Sequence, residues 1–315
     1  MYPVPKVHVP VKTDNYYLVQ KFCNANFWEE QYRDLFTDDV AVDFPHAPPG
    51  MLQHLSSFEF LEAFRWWLRN TVRTMAPICE PTIIPTTDPD VFWAIRFCKG
   101  TVYWAQKECT YQNEHAIKIT IRDGKIAALK DYFNSIEFYN ALGISLPGYI
   151  FDPKEEAPSV RMPEGQPSKL SPELNRKRAV DNFVNPIEFD ASLESIYAAD
   201  VTMVCPFVPF NMPEVYQGTS FDTQTDWMFY ACPEWTTPDE SVGYYQSVDP
   251  NVIIVESEGY GRTTWSHKNG HYHQRELQVV FLEQEKVKHF RVYFNSMNKF
   301  ASMNQMIPSF PYMNF

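Results

Sequence analysis

A chain of 315 residues with 44% hydrophobic and 16% aromatic side chains exceeds the roughly 150 residues of one typical domain and can fill two cores. Its formal charge of −12 excludes a nucleic-acid role, because such binding rests on Lys and Arg neutralising phosphates. Six cysteines (Cys23, Cys79, Cys98, Cys109, Cys205, Cys232) form no CxxC pair, so they read as reduced thiols rather than staples or a metal framework.

The apolar runs are short, and the start Met1-Tyr2-Pro3-Val4-Pro5-Lys6 lacks a signal-peptide core, which points to a cytoplasmic protein with no membrane partner. Residues 1 to 13 hold three prolines and read as an extended arm. A helix is predicted from Asp14 as N-cap, through Tyr17, Val19, Phe22 and Phe27 towards Tyr32 and Leu35. Val40, Val42 and Phe44 alternate as in a strand until Pro45-His46-Ala47-Pro48-Pro49-Gly50 breaks it. Ser57 can cap a second helix to Val72, with Phe60, Leu61, Phe64 and Leu68 at helical spacing.

After Pro77 the pattern turns to β. Val91, Trp93, Ile95 and Phe97 form a period-two stripe, and Gly100 is read as its end. Further strands are expected at 101–110, 115–121 and 125–134, with Asp123-Gly124 as a tight turn. This order predicts an α+β fold, with helices on one face of a curved, mostly antiparallel sheet.

The chain then repeats itself. Asp131-Tyr132-Phe133-Asn134-Ser135 returns as Val292-Tyr293-Phe294-Asn295-Ser296, and the spacing of 161 positions from 131 to 292 holds upstream without a gap. It maps Phe22 to Phe183, Asn24 to Asn185, Pro45 to Pro206, Trp66 to Trp227, Gly100 to Gly261, Trp104 to Trp265 and Tyr111 to Tyr272. The expected organisation is a domain over 1–150, a Pro-rich linker over 151–172 with five prolines, and a diverged repeat over 173–315. Two such units suggest an intramolecular pseudo-dimer, which can pair again as a homodimer.

Thr87-Asp88-Pro89-Asp90-Val91-Phe92-Trp93, Asp123-Gly124-Lys125-Ile126, Asp131-Tyr132-Phe133-Asn134 and Ala141-Leu142-Gly143-Ile144-Ser145-Leu146-Pro147 together resemble the PhzA/PhzB phenazine-biosynthesis proteins. Those proteins sit within the SnoaL-like, NTF2-like superfamily. Asp249-Pro250-Asn251 and Val255-Glu256-Ser257-Glu258-Gly259-Tyr260-Gly261 add to the likeness from the second copy. The resemblance implies tandem NTF2-like cone-shaped α+β barrels, each with an apolar pocket, and acid/base catalysis on small biosynthetic intermediates without metal or organic cofactor. It places the acid/base carboxylate at Asp131. Two departures matter: Val292 replaces the acid in the second copy, and the second helix lacks a histidine. The phenazine reaction itself is therefore not carried over.

Read from the residues, Asp131 shares a strand face with Ala127, Leu129 and Phe133, and a carboxylate on an apolar face has its pKa raised by desolvation. The alternative is a strand-end Asp pointing to water or paired with an arginine. Glu256 and Glu258 replace Ile95 and Phe97; they are either the second copy's acid/base or residues of an exposed or interface face. His46 ends a strand near the expected cone mouth, and His115 has Glu276 as counterpart. Trp66, Trp93, Tyr103 and Trp104 can line a site for a flat ligand or simply fill a core. Trp93 stands apart because its counterpart is Ile254. His267, His271, His273 and His289 fix no ligand geometry, so no metal is expected. No GxGxxG, P-loop, GxSxG or HExxH occurs.

These observations predict a cofactor-independent cyclase, condensing enzyme or isomerase of small-molecule biosynthesis. Its acid/base is Asp131, with Glu256 and Glu258 as second-copy candidates, and His46, Trp66, Trp93, Tyr103, His115 and Leu129 are its substrate-binding candidates. The rival reading is a non-catalytic carrier of a labile small molecule.

Overall fold

The computed structural model describes residues 2–25, 30–104, 106–146, 196–208, 212–217, 232, 234–263, 270–302 and 307. The stretch 151–172 and the residues Phe27, Phe183, Asn185, Trp227, Trp265 and His267 lie outside them. The chain divides into two compact units. One comprises Lys6–Pro147, Ser247–Asp249 and Ile307–Phe315; the other comprises Met1–Pro5, Gly148–Gln246 and Pro250–Met306.

In the first unit, helix α1 (Asp14–Asn24) starts one residue earlier than the sequence suggested. Thr13 is the cap, its hydroxyl accepting from the Tyr16 amide at 3.2 Å, while Asp14 stands in the first turn, where its charge favours the positive helix end. The helix stops at Asn24, and Tyr32 and Leu35 belong to a separate 3-10 turn, Glu30–Leu35. Helix α2 (Phe58–Thr71) is capped by Ser57, as read from the sequence. It buries Leu61, Phe64, Trp67 and Leu68, whereas Phe60 and Trp66 are half exposed. Burying each such large apolar side chain stabilises the unit by about 1.5–3 kcal/mol.

The first sheet has seven strands: β1 (Phe36–Asp43), β2 (His54–Leu55), β3 (Val72–Pro77), β4 (Thr82–Pro85), β5 (Val91–Trp104), β6 (Lys107–Arg122) and β7 (Lys125–Phe133). Their order is β2-β1-β7-β6-β5-β3, with β4 also on β5. β5, β6 and β7 form an antiparallel meander, and β1 joins β7 in parallel. β7 leads into helix α3 (Ser135–Ala141).

One boundary is corrected. Gly100 does not end a strand, because β5 runs through it as a single fourteen-residue strand and turns back at Gln106 (φ 64). Glycine is required there for another reason: a Cβ would lie 1.8 Å from the Thr74 carbonyl oxygen of β3. The Asp123-Gly124 turn forms as predicted, with φ of 54° and 70°, the left-handed pair that a tight hairpin needs.

The second sheet repeats the plan: β8 (Tyr197–Val204), β9 (Val215–Gln217), β10 (Gly243–Gln246), β11 (Val252–Thr263), β12 (Gly270–Glu283) and β13 (Lys286–Phe294), then helix α4 (Ser296–Ser302). Its order is β10-β11-β12-β13-β8-β9, again with one parallel pair, β13 with β8. Shifting β1, β4, β7 and α3 by 161 positions lands on the bounds of β8, β10, β13 and α4.

The cap after the last strand also repeats. Asn113 donates to the Tyr111 hydroxyl (2.9 Å) and the Asn134 carbonyl (3.0 Å), and accepts from the Asn134 amide at 3.0 Å. Gln274, Tyr272 and Asn295 make the same three bonds at 2.7, 3.2 and 2.9 Å. Ser135 donates to the His46 carbonyl as Ser296 does to that of Phe207. The shared Tyr-Phe-Asn-Ser phrase is thus a structural device that satisfies the buried strand end.

Candidate functional site

Cross-strand register decides which side chains meet. On β7, Leu129, Asp131 and Phe133 pair with Ile119, Ile117 and His115 of β6; on β5, Phe92, Ala94 and Arg96 pair with the same three β6 residues. Side chains of paired residues share a face. One face therefore carries Asp131, His115, Arg96 and Cys98 among Leu129, Ile117, Ile119 and Phe133. Phe44 packs edge-on to Phe133 at 6.0 Å and against Phe64 of α2 at 5.3 Å. The helices cover this face, making it the interior of the unit.

Within that interior, His115 Nδ1 lies 3.0 and 3.1 Å from the two Asp131 carboxylate oxygens. Its Nε2 faces the Tyr111 hydroxyl at 3.4 Å. The side chains remain 13% and 19% exposed in an apolar surround. Burial alone would lower the His115 pKa, but the Asp131 charge, Cys98 and hydrogen bonds to both outweigh it and push it up to about 10. The imidazole is thus held as a cation beside its carboxylate.

The surrounding groups follow the same logic. Burial pushes the Cys23 thiol up to about 12 and raises Tyr32 and Tyr111, keeping them neutral. Burial also acts to raise Cys98, but His115 and Arg96 prevail and bring it below an ordinary thiol. The Cys98 Sγ lies 3.7 Å from the Asn113 carbonyl oxygen.

Of the residues singled out in the sequence, the structure brings Asp131, His115 and Leu129 together. The others lie elsewhere. Trp93 is 1% exposed on the opposite sheet face, 6.3 Å from Tyr132, whose ring meets buried His46 edge-on at 4.9 Å. Tyr103 shares the Trp93 face near the hairpin end, with Arg73 stacked on its ring at 4.8 Å. Trp66 is 52% exposed on α2.

Glu256 and Glu258 also point away from their unit's apolar core, which contains Val255, Phe290 and Phe294 with Val292 at its edge. Glu256 accepts from the Tyr245 hydroxyl at 2.8 Å, and Glu258 binds His273 at 2.6 Å and Arg275 at 3.2 Å. They lie on the sheet face opposite Val292, the counterpart of Asp131. Their partners come from neighbouring strands of the same outer face.

His271 and His273 are exposed, and burial beside Arg291 lowers His289 to about 4. Among the described residues no three His, Cys, Asp or Glu side chains converge as a metal site. An open surface cleft of about 680 Å³ beside the start of α2 includes Arg33, Phe58, Glu62 and Arg65, and none of the candidates.

The sequence reading missed Arg96, Cys98, Cys23 and Tyr32. A signal existed for the first two: at the 161-residue offset Arg96 becomes Ser257 and Cys98 becomes Gly259, just as His115 becomes Glu276 and Asp131 becomes Val292. All four groups of the interior cluster change together.

No family model matches the chain, and no curated protein matches it. Solved structures do. A phenazine biosynthesis-related protein from Pseudomonas aeruginosa is 19% identical, with 49% of this chain and 94% of that one covered and a TM-score of 0.39. A Bacillus subtilis protein provisionally named an isomerase is 20% identical over 42% of this chain and 94% of its own, with a TM-score of 0.37. A Xanthomonas campestris protein provisionally named a polyketide cyclase is 16% identical over 42% and 98%, with a TM-score of 0.36. Each of these matches covers less than half of this chain.

Proposed function

We propose that the first unit catalyses proton transfer on a small molecule, the step behind a cyclisation, condensation or isomerisation, with Asp131 as acid/base and His115 as its charged partner. The observation that supports this most is the His115–Asp131 pair at 3.0 Å, only partly exposed, on an otherwise apolar interior face. A carboxylate there can take a proton from a substrate carbon, and the imidazolium can hold or return a proton at an oxygen. The apolar walls would orient the substrate and exclude water. Cys98 and Tyr111 would position His115, since both contact its ring.

The test uses 5-nitrobenzisoxazole, whose ring opens when a base removes its C–H proton. Asp131→Asn is expected to lower kcat by roughly 100-fold or more, the usual worth of a general base, while the affinity for the probe changes little. Equal turnover by wild type and variant would favour a carrier.

A further inference from the structure

The proton-transfer reading leaves one buried charge without a task. Arg96 sits directly across from His115, is 9% exposed, and has a buried Nε with no hydrogen-bond partner among the described residues. Leaving such a donor unsatisfied costs about 1–3 kcal/mol, and a buried charge without a dedicated partner costs more. Its surroundings favour the charge against burial, Cys98 most strongly, but give the Nε no acceptor. Cys23, Tyr32 and Tyr111 are held neutral by burial. Asp131 is already engaged by the His115 cation, so two cations face one carboxylate. Cys98 is the remaining source of negative charge, brought below an ordinary thiol by His115 and Arg96, but its contact is with the Asn113 carbonyl and it does not accept from the Arg96 Nε.

We infer that the interior of the first unit takes a flat, largely apolar substrate bearing a carboxylate, and that Arg96 is the residue that binds this group. The inference rests on the proton-transfer reading of the same site and adds its substrate class. A guanidinium presents N–H donors in a planar fork that matches a carboxylate at two points. Phe44, Phe64 and Phe133 supply the aromatic walls beside it. A bound carboxylate would give the Arg96 Nε the acceptor it lacks. The second unit has Ser257 at the Arg96 position, so its interior lacks this handle.

The full-length protein is titrated calorimetrically with 2-naphthoate and with its neutral isostere 2-naphthamide. Wild type is expected to prefer the carboxylate by roughly tenfold or more. Arg96→Gln should bind the two alike, with affinity for the amide unchanged, and Arg96→Lys should recover part of the preference. Binding of both probes with equal affinity by wild type, binding of neither, or a preference that survives in Arg96→Gln would overturn the inference. The wild-type comparison decides the matter even if the glutamine variant does not fold.

Asp131→Asn separates this inference from the reading beneath it. That variant removes a negative charge, so it should hold 2-naphthoate at least as tightly as wild type while losing proton transfer. Retained proton transfer would count against Asp131 as the base without touching Arg96.

Discussion

His115 is pulled in opposite directions, and the balance has a measurable consequence. Burial favours the neutral ring, Asp131 and Cys98 favour the cation, and the folded value of about 10 stands above the ordinary 6.5. For a group whose pKa rises on folding, the protonated form contributes stability below about pH 6.5, and that contribution is lost as pH climbs through about 10. The gap in Tm between wild type and His115→Gln should therefore narrow steadily across that window. A gap that stays constant from pH 6.5 to 10 would show that no such charged pair forms. Asp131 was legible in the sequence because its repeat partner is Val292, an acid against an isopropyl group. Arg96 was not, since a single cation in an apolar strand reads equally as a side chain reaching water, and only the register with His115 shows that it stays inside.

At the level of the element, β5 explains why Trp93 and Tyr103 lie on the face opposite Asp131. Its residues Phe92 to Cys98 are buried on both faces, so the stripe of Val91, Trp93, Ile95 and Phe97 could not indicate which face is the interior. Alternation identifies an inside only when the other side is wet. Helix α2 with its Ser57 cap and the Asp123-Gly124 hairpin were legible because each depends on local chemistry. The continuation of β5 past Gly100 was not, because the reason for that glycine is the approach of Thr74 from β3, twenty-six positions earlier. Gly100→Ala should lower the unfolding free energy by about 1–3 kcal/mol, the usual cost of forcing an extra carbon into a packed site. Denaturant titration measures it, and a neutral result would mean that β3 can slide away from β5.

For the molecule as a whole, duplication preserved the frame and rewrote one interior. The Asn113 and Gln274 caps are the same device in both units, whereas Arg96, Cys98, His115 and Asp131 face Ser257, Gly259, Glu276 and Val292 across the repeat. At Gly259 the room is taken by Trp235, whose Cζ2 would lie 2.2 Å from an added Cβ. It also packs 5.6 Å from Tyr272. Glu276 has its pKa raised by burial, partly offset by Lys299, which burial itself lowers to about 8. Restoring the acid alone should therefore not restore chemistry. In an Asp131→Asn/Val292→Asp double variant the new carboxylate would meet Glu276 instead of a histidine, and opening of 5-nitrobenzisoxazole should remain at the level of Asp131→Asn. Recovery of even a tenth of the wild-type rate would show that the second interior needs only its acid.

The paired strand ends have a bearing on how such a chain folds correctly. β7 and β13 have equal length, the same Tyr-Phe-Asn-Ser exit and equivalent caps, which invites each to enter the other's sheet during folding, a known hazard of repeated units. The divergence opposes that exchange. If β7 were seated against β12, Asp131 would be set beside Glu276, carboxylate against carboxylate. If β13 were seated against β6, Val292 would stand by His115 and leave the imidazole without a counter-ion. The substitutions that distinguish the two interiors thereby also act as a pairing code, penalising the swapped topology in both directions.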